Sequence, residues 1–68
     1  MKISARNVLD GTVKEVKKGA TTAHVLIDVE GSIVTSSITN ESADELGLKT
    51  GAKVKVVIKS SDVIIAVE

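Results

Sequence analysis

From Thr21 to Glu30 the side chains alternate, with Ala23, Val25, Ile27 and Val29 on one side and His24, Leu26, Asp28 and Glu30 on the other. A period of two is that of a strand with one face buried, so this segment predicts the clearest strand in the chain. Upstream, VLDGTVKEV is rich in β-branched residues and broken by Gly11, the pattern of a strand that bends at a barrel corner or bulge. Residues 2–16 are therefore predicted to form a long, bent strand, followed by a turn at Lys17-Lys18-Gly19-Ala20. Gly31 marks a tight turn into SIVTSSIT, residues 32–39, so a hairpin is expected across it. Near the C-terminus, Val54, Val56 and Ile58 oppose Lys53, Lys55, Val57 and Lys59. Ser60-Ser61-Asp62 then breaks the pattern before a last strand, VIIAV, at residues 63–67.

One segment departs from this alternation. Asn40 to Gly47 begins with capping residues, carries acidic side chains early and ends on a glycine suited to the position just past a helix, so it predicts one short helix capped by Thr39 or Asn40. Three strands, a short helix and two more strands is the element order of an all-β, five-stranded OB-type barrel, with its helix between strands 3 and 4. Residues 1–68 are expected to form a single domain of this kind.

The chain has no Phe, Tyr, Trp, Cys or Pro, and 43% of it is hydrophobic, so its core is aliphatic. At 68 residues a monomeric core barely offsets the entropy of ordering the chain, which makes self-association a natural source of further burial. Leu26, Val57 and the run from Val63 to Val67 place apolar side chains on faces a small barrel would leave in water, and they predict a subunit interface. No stretch approaches a spanning helix and MKISARN lacks a leader pattern, so a cytoplasmic protein without membrane contact is expected.

Chemistry is narrowed mostly by exclusion. Without cysteine, and with a single histidine, His24, no ligand set for a bare metal cation can be assembled. The same histidine lies mid-strand with no partner for acid–base or nucleophilic work, so it is expected to face solvent or an interface, and no enzyme activity is expected. The carboxylates are dispersed and none has calcium-loop spacing. OB barrels often bind single-stranded nucleic acid, but with aromatic platforms and a basic groove; this chain has no aromatics and nine basic residues balanced by nine acidic ones. RNA binding is accordingly the weakest of the functions considered.

What remains is a set of donors at predicted element ends: Ser4 and Arg6, Thr39 and Ser42, and Lys59 and Ser60. A tetrahedral dianion needs several hydroxyl, N–H and cationic donors with no competing carboxylate, and these residues supply that chemistry. Each also has an ordinary use, respectively as edge decoration, helix cap and turn.

Taken together, ISARN at residues 3–7, LxGxVxxVxxG from Leu9 to Gly19, ITNESADELGL from Ile38 to Leu48 and VIKSSDVIIA from Val57 to Ala66 resemble the molbindin family over essentially the whole chain. The resemblance implies a cytoplasmic, non-enzymatic protein that stores or buffers molybdate or tungstate and uses no other cofactor. It also implies a homohexamer, a trimer of dimers, with anions held between subunits. By motif position the anion-binding residues would be Ser4, Arg6, Thr39, Ser42, Lys59 and Ser60, and the Lys17–Thr21 turn is a candidate contributor to a second class of site. The hairpin at Glu30-Gly31-Ser32 is shorter than the family's glycine-rich loop. The alternative is a protein–protein interaction module stabilised by an anion.

Overall fold

The computed structural model describes residues 1–68. It consists of β1 (Asn7–Lys18), β2 (Thr22–Val29), β3 (Ser32–Thr39), α1 (Asn40–Glu45) and β4 (Lys53–Ile58), followed by a single 3-10 turn at Ser60–Asp62. The strands form one antiparallel sheet in the order β3-β2-β1-β4. β1 serves both halves of the sheet. Its first half pairs with β4 from Asn7↔Ile58 to Thr12↔Lys53, and its second half pairs with β2 from Thr12↔Asp28 to Lys18↔Ala23.

Bending is needed for one strand to do this. The register between β1 and β2 slips between Val13 and Glu15, which identifies Lys14 as the extra residue of a bulge. Gly11, expected to mark a bulge or a sharp bend, is not the bulge and sits in regular register opposite Val54. Its role is close approach: a Cβ built there would lie 2.5 Å from Ile27 Cγ2 and 3.2 Å from the Asp28 carbonyl oxygen.

The inward alternation of β2 produces the core. Val13, Ala23, Val25, Ile27, Ala43 and Val56 are the only buried residues, 6 of 68, so the subunit shields little of its aliphatic content. Val25 and Ile27 lie beside Val13 and Val56, with Val16, Val34, Ile38, Leu48 and Val54 packed around them. The β2–β3 hairpin closes in two residues, Glu30 (φ 50°) and Gly31 (φ 88°), both left-handed as a turn matched to strand twist requires. Asp28 Oδ1 accepts a hydrogen bond of 2.9 Å from the Gly31 N–H.

The helix is as expected, with Thr39 as its cap. At its other end Gly47 adopts φ 63°, and Leu48 and Gly47 donate to the Ala43 and Asp44 carbonyls at 3.1 and 3.0 Å. These two bonds satisfy carbonyls the helix itself leaves free.

Three expectations are corrected. β1 begins at Asn7 rather than residue 2, because β4 ends at Ile58 opposite Asn7 and the preceding residues have no strand to pair with. It also runs through Lys17 and Lys18, which pair with His24 and Ala23, so the turn is confined to residues 19–21. Finally, four strands form and not five. Residues 63–68 have no regular structure, because the 3-10 turn at Ser60–Asp62 follows β4 and they pair with neither edge strand of the sheet. No helix is long and apolar enough to cross a membrane.

Substituting Gly11 with Ala is expected to destabilise the fold by about 1–3 kcal/mol, since Ile27 and the β2 backbone must move to admit one methyl group. The urea midpoint at fixed protein concentration measures this. Glu30→Asn is expected to act oppositely, raising stability by about 0.5 kcal/mol because Asn tolerates the left-handed backbone better.

Candidate functional site

The six candidate donors fall into two groups at opposite ends of β1. Ser4, Lys59 and Ser60 line one shallow concavity with Ile3, Ala5, Val57 and Ser61. They meet there because the β1–β4 ladder ends at Asn7↔Ile58, so the segment leading into β1 and the segment leaving β4 emerge side by side. Asn7 Nδ2 donates to the Ile58 carbonyl at 3.3 Å and ties the two together. Arg6 and Lys59 each stand one residue beyond the last pair of that ladder, at the same end of the sheet.

Two cations gathered at one end of a sheet repel, and an anion bound there relieves the repulsion. Neither side chain is engaged elsewhere: the ion pairs of the chain are Lys17–Glu15, Lys18–Asp44 and Lys55–Asp10. Asp62 follows in the 3-10 turn, where its N–H donates to the Lys59 carbonyl at 2.9 Å, but its carboxylate pairs with neither cation. Ser4, Arg6, Lys59 and Ser60 are all exposed.

Thr39 and Ser42 stand at the other end, beside the β1–β2 turn, because Thr39 pairs with Thr22. Thr39 Oγ1 accepts from the Ser42 N–H at 3.0 Å and donates to Ser42 Oγ at 2.9 Å. Thr39 is thus a helix cap first, and its hydroxyl proton is committed to Ser42. Asn40 fastens this end, its N–H donating to the Thr21 carbonyl at 2.8 Å and its Nδ2 to the Gly19 carbonyl at 2.9 Å. The buried Asn40 Oδ1 has no partner, and as an acceptor it does not attract an oxyanion.

A lysine-lined hollow opens next to this helix start, taking in part of the Lys17–Thr21 turn expected as a candidate contributor to a second site. Lys17, Lys18, Gly19, Thr22 and His24 line it. The place of His24 in it comes from the register, which sets Lys17 and Ser37 on either side of His24 in one row. His24 faces solvent there, as expected for a lone mid-strand histidine.

The two groups do not meet within one chain. They are separated by most of the length of the twelve-residue β1, on the order of 25 Å allowing for its bend. A tetrahedral anion spans only a few ångströms, so one chain touches it with one group alone. No cluster of three or more His, Cys, Asp or Glu side chains is present that could hold a metal cation.

A family model described as the TOBE domain matches residues 3–65. Molybdenum-pterin-binding protein 1 of Clostridium pasteurianum is 50% identical over 66 residues, which cover 96% of this chain and 97% of that protein. Among solved structures, a molybdate-binding protein from Sporomusa ovata superposes with a TM-score of 0.92 at 38% identity, covering 97% of this chain and 98% of its own. MopII from Clostridium pasteurianum, in an apo form, superposes with a TM-score of 0.90 at 46% identity, covering 97% and 100%.

Thr39→Ala is expected to lower stability by about 1 kcal/mol with or without any anion, through loss of the cap, whereas Thr39→Ser retains most of it. Denaturation midpoints of both variants in anion-free buffer separate the capping role from any part in binding.

Proposed function

Because this chain belongs to the TOBE-domain family, we propose that it binds molybdate or tungstate without catalysis, storing or buffering the oxyanion in the cytoplasm at the interfaces of a homo-oligomer. The observation that carries the proposal is the division of donors. Ser4, Lys59 and Ser60, with Arg6 at the same end of the sheet, make a cationic hydroxyl-rich end free of paired carboxylates. Thr39 and Ser42 make a second, neutral end too distant to help the first. Two chains packed end against end can surround an anion that one chain only touches from a side. The hexamer of the resemblance, a trimer of dimers with a closed five-stranded barrel, satisfies that requirement.

Arg6 and Lys59 supply charge, and the hydroxyls of Ser4, Ser42 and Ser60 fix the oxygens by direction, with Thr39 donating to Ser42 Oγ and so leaving the Ser42 proton for the anion. Charge-assisted hydrogen bonds contribute roughly 1.5–3 kcal/mol each, so a few from each side offset the desolvation of a dianion while half a set does not. The relatives are named for molybdenum-pterin, but this chain has no aromatic side chain on which a pterin ring could stack, which favours the bare oxyanion. No covalent step is involved, and no other cofactor is required.

Native mass spectra with molybdate, and with sulfate at equal concentration, test the proposal directly. A hexamer that retains molybdate and not sulfate is the expected result; an anion-indifferent species would instead support an interaction module. Lys59→Ala is expected to weaken molybdate binding at least tenfold in calorimetric titration, about 1.4 kcal/mol, with the fold retained. Unchanged affinity removes Lys59 from the site.

A further inference from the structure

A six-residue helix is too short to hold its place by its own hydrogen bonds, so the position of α1 depends on what ties it to the sheet. Ala43 is its one buried residue, and beyond its C-terminus Leu48 packs against the core. The first turn, which carries Ser42, is tied down by Asn40. The Asn40 N–H donates to the Thr21 carbonyl at 2.8 Å, one step past the Thr22↔Thr39 pair that ends the β2–β3 ladder. Its Nδ2 donates to the Gly19 carbonyl at 2.9 Å, reaching the other side of the β1–β2 turn. A third tie, Lys18 to Asp44, lies on the surface, where solvent and salt weaken it.

Stability does not account for an asparagine here. The amide gains one hydrogen bond, but its Oδ1 is buried without a partner, a cost that offsets much of that gain. The Gly19 carbonyl lies in an exposed turn, where water would serve it as well. Leucine, of nearly the same size and shape, would bury no unpaired oxygen. What the amide alone provides is a directed link between the β1–β2 turn and the helix start.

We infer that Asn40 is a positioning residue for the oxyanion. It touches no anion itself. Its bond to the Gly19 carbonyl holds the first turn of α1 so that Ser42 Oγ, already accepting from Thr39, presents its proton in one direction. A hydrogen bond weakens steeply as its angle departs from linear, so a donor carried on a loosened turn contributes less. The same bond fixes Gly19, which lines the lysine hollow, and one side chain thereby orders polar groups on both sides of the turn. The inference rests on the oxyanion reading and adds to it a residue outside the six donors.

Two variants separate positioning from folding. Asn40→Leu removes the amide and the unpaired oxygen together, while the backbone N–H of residue 40 keeps its bond to Thr21. It is expected to leave the urea midpoint in anion-free buffer unchanged or higher, yet to weaken molybdate binding by about fivefold or more in calorimetric titration of the folded protein. Asn40→Asp keeps the shape but sets a carboxylate oxygen against the Gly19 carbonyl, which favours the protonated form and raises the carboxyl pKa. Lowering the pH from about 8 to about 5 returns a proton that is donated to Gly19 as the amide proton was, so the ratio of variant to parent affinity is expected to rise toward unity.

Parent affinity in both variants at the upper end of that range overturns the positioning role and leaves the oxyanion reading intact. So does an Asn40→Asp ratio that stays flat as the pH falls. A parent protein that takes up no molybdate in the same titration overturns both.

Discussion

The contact of Gly11 with Ile27 and the Asp28 carbonyl sets how tightly this sheet can curl. A side chain there would press against β2 at the point where β1 passes from pairing with β4 to pairing with β2. The bulge at Lys14 completes the change of direction. From that curvature follow the aliphatic floor of Val13, Val25 and Ile27, the approach of β3 toward β4, and the separation of the two ends of β1 where the polar donors gather. One small residue thus governs both the shape of the core and the spacing of the candidate site.

Local chemistry explains which elements the amino-acid pattern revealed. The alternation of β2 holds residue by residue, because burial of one face is enforced along its whole length. The helix was legible from its caps, Thr39 before it and Gly47 after it, since each answers a backbone requirement met within a few residues. The ends of β1 were not legible, because where a strand stops depends on where its neighbour stops, and β4 lies over 40 positions away. The bulge at Lys14 leaves no mark on a polar residue facing solvent. VIIAV has the composition of a strand, but it follows the 3-10 turn and pairs with none of the four strands of its own chain. Of the candidate site, the donor types were legible in the sequence as three pairs, while the association of Ser4 with Lys59 and Ser60 and the distance from them to Thr39 and Ser42 emerge only from the register.

Charge is distributed with the same economy. Nine basic and nine acidic residues cancel over the whole chain, yet the cancellation is local. Lys55 is matched by Asp10 on the outer face of the sheet and Lys18 by Asp44 near the helix. These pairs are exposed and add little to stability. Their effect is to restrict uncompensated positive charge to a few places, of which the Arg6–Lys59 end is one. A neutral chain can in this way present a cationic patch without attracting polyanions over long range.

Placing the donors at the two ends of β1 has a consequence for supply. If every anion needs parts from more than one copy, dilution removes the site along with the oligomer, and holding capacity rises more steeply than in proportion to the amount of protein made. Such a chain behaves as a threshold device: traces leave free oxyanion undisturbed, whereas a modest rise in synthesis would switch on sequestration across the whole pool.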